Sequence, residues 1–478
     1  MHRYQQLAAE LAEAIHSGRL PGGAALPSLR DCAIQRGMSL NTVTAAYRLL
    51  EDQGLVEARP QSGFYVSSTL AEPQQSLRRT PALAIGRHQE SLMARVFDAQ
   101  HRGGYFNLAL ACPGGKPFYP GEKLNRLTSN LLRRRGEIAT TYALPPGSSL
   151  LREQIARRSV RLGMQLDAAN VLITHGATEA LQLALRAVTQ PGDAVGIEAP
   201  AYYNLYPLLK SLGLRALEIP THPRDGIRLD SLEPLLEQHR IAALVATPTV
   251  HNPLGSSMPV AAKRRLAELL RQYRTPLIED IVYAELQFAD PPEPTVRAFD
   301  SEGWVLVCSG FSKTLAPDYR IGWLEAGRYA SRVQALKWTS SGCESSLLSE
   351  AIGQYLESGG YEHHIRNLRR LYAVQIDQAR ALIARHFPAG TRATRPAGGF
   401  LLWVELPPEV DSLTLFEQAF EAGVVIMPGQ VYSEGARYRQ CFRLSCCQVI
   451  DDAYGEAIAT LGRLAREIAG RPGGPLSA

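Results

Sequence analysis

Cys308-Ser309-Gly310-Phe311-Ser312-Lys313-Thr314-Leu315-Ala316-Pro317-Asp318-Tyr319-Arg320-Ile321-Gly322-Trp323 is the stretch on which the reading of this chain turns. Before it stands a short apolar run, residues 304–307, of the kind that forms a buried strand. The run gives way to small polar residues and then to one lysine, Lys313. Arg320 follows seven residues later, ahead of a second apolar run. A lysine at the end of a buried strand loses its proton more easily than one in water, because burial disfavours the ammonium. Its free amine can form a Schiff base with an aldehyde cofactor. Ser312 and Arg320 are placed to hold an anion beside it, the arginine as a two-pronged charged donor. Most lysines are solvated surface residues instead. This chain has only six, at 116, 123, 210, 263, 313 and 337, and only Lys313 follows a clear strand.

Outward from that stretch, strand-like and helix-like runs alternate. Residues 171–174, 194–197, 244–246, 277–279, 305–307 and 322–324 read as strands, with helices starting at Ala177, Tyr202 and Val260. Such alternation predicts an α/β domain with a largely parallel sheet. Ligands of such sheets bind beyond the carboxyl ends of the strands, and every candidate residue falls at one. Gly176-Ala177-Thr178 sits where a strand turns into a helix, and the free amides of a helix start suit a phosphate. Asp280 ends another strand, and a buried carboxylate there can keep a pyridine nitrogen protonated. Asn252, in Asn252-Pro253-Leu254-Gly255, is placed to donate to a phenolic oxygen, with Tyr283 beside it. Tyr202 is placed to stack on a ring. Further on, helical patterns fill 330–386, and 398–404 and 438–446 read as strands of a smaller α+β unit. Arg443 lies in the latter; a guanidinium fork fits a carboxylate.

The first seventy residues have a different pattern. Residues 3–17 read as an amphipathic helix stopped by Gly18. A second helix opens after Ser28 as its cap and ends at Gly37. A third starts near Ser39, with Val43, Tyr47 and Leu50 on its buried face. Residues 55–65 alternate around Pro60-Gln61-Ser62-Gly63, as a small hairpin does. Three helices and a hairpin make the outline of a winged helix-turn-helix. Six arginines, no lysine and six acidic residues leave residues 1–70 with no net charge, so Arg30, Arg36, Arg48 and Arg59 would meet phosphates only by clustering. Residues 69–104 read as a linker, exposed through Pro73 and Pro81, with one helix over residues 83–100 that is expected to pack on the next domain.

At 478 residues the chain is long enough for two or three domains. Hydrophobic content of 45% and charged content of 20% fit a globular protein with a sizeable core. No run is long and apolar enough to predict a membrane span, and Met1-His2-Arg3-Tyr4 opens no signal peptide. Seven scattered cysteines show no metal-ligand spacing, so no metal site is expected and a reduced, cytoplasmic protein is. The tail, residues 470–478, reads as disordered.

Two resemblances join these readings. Leu26-Pro27-Ser28-Leu29-Arg30-Asp31, Thr42-Val43 to Leu50-Glu51 and Gly54-Leu55-Val56 resemble the GntR family of bacterial DNA-binding domains. The likeness implies double-stranded DNA as partner, met by Arg30, Ser39, Asn41, Thr42 and Thr44, with Gln61, Ser62 and Gly63 at the wing tip. Leu40 and Thr44 stand where that family often has arginines. From 106 to 446 the chain resembles fold-type I aminotransferases, which bind pyridoxal 5'-phosphate (PLP). The resemblance makes Lys313 the Schiff-base lysine and Asp280 the pyridinium partner. It puts Asn252 and Tyr283 on the phenolic oxygen and Tyr202 on the ring face. Ala177, Thr178, Ser312 and Arg320 then hold the phosphate, and Arg443 the substrate's α-carboxylate. Tyr142, in Thr141-Tyr142-Ala143, matches a tyrosine that reaches the phosphate across a homodimer. Gly310 departs from the pattern, since many relatives carry a serine there.

A GntR reader ahead of an aminotransferase-like body resembles the MocR family of bacterial regulators. Expected domains are a winged helix-turn-helix over 1–68, a linker over 69–104 and the PLP-binding body over 105–478, divided near 329. That family implies a sensor, in which an amino acid or amine displaces Lys313 from the cofactor by aldimine exchange and DNA binding changes. The alternative is an active aminotransferase with an accessory DNA-binding module; a third is a body that has lost its cofactor.

Overall fold

A computed structural model describes residues 3–16, 19–20, 23–52, 55–59, 63–67, 72–73, 86–435 and 437–470. The wing-tip residues Gln61 and Ser62, most of the exposed linker and the tail beyond Gly470 lie outside the described residues.

The N-terminal unit has helices α1 (Arg3–His16), α2 (Leu29–Arg36) and α3 (Leu40–Asp52) and the hairpin strands β1 (Val56–Arg59) and β2 (Gly63–Val66). Ser28 Oγ accepts the Asp31 N–H at 3.1 Å, and Gly37 closes α2 in the left-handed conformation at φ 57°. Val43, Tyr47 and Leu50 are fully buried and pack with Leu7, Leu11, Val56 and Val66 in a core of their own. The hairpin pairs Val56 with Val66.

Helix α4 (Gly86–Arg102) falls within the stretch read as linker. Its Leu92, Val96 and Ala99 are buried in the same core as the C-terminal strands. Arg95 fixes it there. The guanidinium donates to both oxygens of Glu417, at 2.6 and 2.8 Å, and lies over the rings of Phe416 and Phe420.

After the short strand β3 (Phe106–Asn107) come α5 (Gly121–Arg134), α6 (Ser149–Ser159) and the large sheet. Its strands are β4 (Val171–His175), β5 (Ala194–Ala199), β6 (Arg215–His222), β7 (Gly226–Ile227), β8 (Ala243–Ala246), β9 (Leu277–Asp280), β10 (Val305–Gly310) and β11 (Ile321–Glu325). Their order is β4-β11-β10-β9-β8-β5-β6-β7. The run from β10 through β9, β8 and β5 to β6 is parallel, and β11 is antiparallel to both its neighbours. Period-2 alternation sends Val171 and Ile173 to one buried face and Leu172 to the other, so helices cover both sides. Helix α7 (Gly176–Val188) leaves the end of β4.

The smaller sheet joins β12 (Arg392–Ala393), β13 (Leu401–Glu405), β15 (Met427–Pro428) and β16 (Cys441–Ser445); β14 (Val424–Val425) pairs with β3. Three expectations are corrected. The strand expected over 398–404 runs Leu401–Glu405. The helix expected from Tyr202 starts at Leu205, and the strand expected over 438–446 is confined to Cys441–Ser445, with residues 437–440 in a turn. Strands β6 and β7 had no clear sequence signal: β6 alternates little in burial and carries Pro220 near the sheet's edge. Among the described residues no helix is long and apolar enough to cross a membrane.

Candidate functional site

The carboxyl ends of the parallel strands open into one cavity of about 310 Å³. Every residue read from the sequence as cofactor- or carboxylate-binding lines it except Tyr142. Arg320 belongs there because β11 runs backwards: the residue before its first strand position lies at the same edge as the ends of β9 and β10.

Lys313 sits in the turn after β10 and faces the cavity. Its Nζ donates to the Ala111 carbonyl at 2.6 Å. Burial pushes its pKa down, as an amine poised to react requires. Asp280, at the end of β9, is half-buried and lines the cavity. Burial pushes its pKa up to about 6, against the Val282 N–H at 3.0 Å and the Lys313 charge. Behind it lies a second cavity of about 20 Å³, lined by Glu198, His251, Tyr202 and Asp280. His251 Nδ1 accepts the Leu254 N–H at 3.3 Å, so Nε2 carries the proton and faces Glu198 Oε2 at 3.3 Å. The sequence offered no signal for this pair beyond Glu198's place near the end of β5.

Helix α7 begins without a side-chain cap, its first N–H groups turned to the cavity at Ala177 and Thr178. Gly176 has φ 71°, and a Cβ there would lie 2.6 Å from Arg320 Nη2; its absence lets the guanidinium lie across the helix start. Arg320 itself is in the left-handed region at φ 53°, and its Nη1 donates to Ser312 Oγ at 3.1 Å. The geometry is that of an anion cradle. Gly310 brings no hydroxyl to it. Ser309 does not compensate, because neighbours on a strand face opposite ways: Ser309 pairs with Trp323 beside a separate pocket that holds Arg158 and Glu285.

Arg443 is buried on β16. Nη1 donates to Asn252 Oδ1 at 3.1 Å and Nη2 to the Ala109 carbonyl, while Nε has no partner. Among the described residues no carboxylate lies within ion-pair distance of it; its surroundings are the rings of Tyr203 and Tyr432. A buried cation without a counter-ion, facing a cavity, is costly unless a ligand supplies the anion. With Oδ1 of Asn252 occupied, its amide N–H groups are left for the cavity. Tyr283 packs edge-on against Phe400, and Tyr202 against Tyr203. Tyr142 is 94% exposed. The sequence reading missed Phe97, Leu110, Cys112 and Tyr203, which also line the cavity.

In the N-terminal unit, Arg30, Ser39 and Asn41 are exposed and Thr42 and Thr44 half-buried. Ser39 caps α3 through the Thr42 N–H at 3.2 Å, and the Thr44 hydroxyl donates to the Leu40 carbonyl at 2.9 Å. Arg36 is held by Glu10 at 2.8 Å, while Arg30 and Arg48 are exposed. Leu40 is 46% exposed at the start of α3.

The fold and cavity define a fold-type I, PLP-dependent body behind a winged helix-turn-helix. Residues 118–461 match the family described as aminotransferase class I and II, and the chain belongs to it; residues 3–66 match the gntR family of bacterial regulatory proteins. Two uncharacterised HTH-type transcriptional regulators of Escherichia coli, YjiR and YdcR, match at full length. YjiR is 34% identical over 97% of this chain and 98% of its own, YdcR 37% identical over 98% and 100%. The arrangement is of the MocR type. Among solved structures, the α-aminoadipate aminotransferase LysN of Thermus thermophilus, complexed with N-(5'-phosphopyridoxyl)-L-leucine, superposes with a TM-score of 0.73. It is 26% identical, over 81% of this chain and 99% of that one.

Proposed function

We propose that this chain is a DNA-binding transcriptional regulator whose aminotransferase-like body holds PLP and senses an amino acid or amine. One observation carries the reading. A cavity lined by a half-buried lysine, a half-buried aspartate and a buried arginine without a counter-ion among the described residues stands in a chain that opens with a gntR-type reader.

When bound, PLP supplies an aldehyde that condenses reversibly with primary amines. Lys313 provides one such amine, and burial keeps it reactive. Asp280 holds a proton on the ring nitrogen. Ala177, Thr178, Ser312 and Arg320 take the phosphate, and Asn252 and Tyr283 the phenolic oxygen. Tyr202 covers the ring, and Arg443 takes the α-carboxylate of the sensed compound. The exposed Tyr142 reaches the phosphate of a second copy, so the working form is a homodimer. Domain limits of 1–68 for the reader and 105–478 for the body remain our assignment, with α4 joined to the body. On DNA, Arg30, Ser39, Asn41, Thr42 and Thr44 of each reader, with Gln61, Ser62 and Gly63 of the wing, form the contact surface. The exposed Leu40 suits a thymine methyl group. A cytoplasmic location is in keeping with seven free cysteines, five of them buried.

The retained site also favours a second reading, a working aminotransferase, because turnover needs the same groups. A footprint on DNA upstream of the protein's own gene, with and without PLP, separates the two. Protected paired half-sites are expected. No protection at low salt, together with turnover of an amino acid and a keto acid at ordinary enzyme rates of roughly 1 per second or more, would reverse the choice. Lys313→Ala is expected to abolish the visible absorption that PLP acquires on the parent protein; survival of that band would remove Lys313 from its role.

A further inference from the structure

We infer that Phe97 of α4 reads the side chain of the sensed compound, and that this compound is an amino acid with an uncharged, apolar side chain; the inference rests on the sensor reading above.

The charges in the cavity are few and already committed. Among the described residues of this chain, its basic side chains are Lys313, Arg320 and Arg443, and its acid is Asp280. Lys313 meets the amine, Arg320 lies with Ser312 across the start of α7, and Arg443 is left for the α-carboxylate. A second carboxylate or an ammonium on the ligand's side chain finds no counter-charge on the walls that this chain itself supplies, and a buried charge without one is disfavoured.

The position of the remaining wall follows from two hydrogen bonds. Arg443 donates to the Ala109 carbonyl and Lys313 to the Ala111 carbonyl. Residues 109–111 therefore span the two groups that would grip an amino acid at its carboxylate and its amine. Leu108, Ala109 and Leu110 pack in one core with Val96 and Ala99 of α4. Phe97, between those two, turns away from that core to line the cavity and is 43% exposed. It shares the cavity lining with Leu110 and Cys112, the chain neighbours of the Ala109 and Ala111 carbonyls that Arg443 and Lys313 hold. Among the described residues of the stretch before β3, no other lines the cavity. Phe97 therefore places the binding site in contact with the helix that stands next after the reader and linker in the chain, and Arg95 ties that same helix to Glu417.

The test uses the full-length, PLP-loaded protein and follows the change in its visible spectrum as L-leucine, L-phenylalanine, L-alanine, L-glutamate or L-lysine is added. In the parent, leucine or phenylalanine is expected to bind about tenfold or more tighter than glutamate and lysine. Phe97→Ala is expected to weaken that ligand by about tenfold while changing alanine by less than about threefold, and Phe97→Leu to restore most of the loss. Hydrogen exchange across 92–102 should slow on leucine binding in the parent and not in Phe97→Ala. Tighter binding of glutamate or lysine overturns the ligand class. Unchanged leucine and phenylalanine affinities in Phe97→Ala overturn the role of Phe97. A parent that binds PLP and responds to no amino acid overturns the sensor reading itself, and this inference with it.

Discussion

Asp280 carries a charge that folding alone does not favour. Its pKa rises from 3.8 in water to about 6, chiefly through burial, so the folded state prefers the protonated acid. The resulting penalty is absent below about pH 4, where the group is protonated folded or unfolded. It grows as pH climbs towards 6 and is complete above. Asp280→Asn removes the titration. Without PLP its Tm at about pH 7.5 is expected to equal or exceed the parent's, by differential scanning fluorimetry. Its affinity for PLP is expected to fall by about tenfold or more, since the ring nitrogen loses its anion. A variant less stable than the parent without PLP would mean that the carboxylate is not strained there. The burial cost of Asp280 is thus one that the cofactor, rather than the fold, offsets.

The elements around the anion cradle pack without slack, through glycines on three neighbours, Gly176 of α7, Gly310 of β10 and Gly322 of β11. A Cβ on Gly322 of β11 would meet the Gly176 backbone at 2.4 and 2.7 Å, with no flexible side chain in the way to yield. Gly322→Ala is expected to cost about 1–3 kcal/mol of stability in urea unfolding and to weaken PLP binding as well, because it pushes β11 away from the start of α7. Normal PLP affinity in a destabilised variant would show that the cradle does not depend on that closeness. These elements were legible in sequence. Lys313, Asp280, Asn252 and the Gly176 turn each follow an apolar strand, and a parallel sheet brings all such ends to one edge. Helix α4 was legible as a helix packing on the next domain, but not as a lining of the cavity. Its apolar face says only that it packs somewhere, and nothing in the spacing of Phe97 points to a lysine so distant in the chain. The Glu198–His251 pair was hidden for the same reason. Ser309 could be settled only by seeing which face of β10 it occupies.

At the scale of the molecule, a reader with no net charge differs from a strongly basic one. Arg36 is already engaged by Glu10, which leaves few cations for phosphates. Two readers with two or three phosphate contacts each predict a log–log salt slope of about −5, measured by titrating a fluorescent operator fragment at several salt concentrations. A slope near −10 would mean that the linker arginines, or the body, also grip DNA. The two-part plan and the fold-type I body were legible because each part carries its own local pattern; that α4 packs on the body was legible too, but not that it enters the core of the C-terminal strands, because that joins segments far apart in sequence. The exposed Tyr142 has one more consequence. On the proposed dimer each phosphate cradle is finished by the other copy, so a lone chain is an incomplete container for its coenzyme. Dilution then empties the protein as well as separating it. A cell holding few copies would keep them largely blind, and one holding many would keep them ready. On that reading the number of molecules made would itself be a second signal, beside the proposed amino compound.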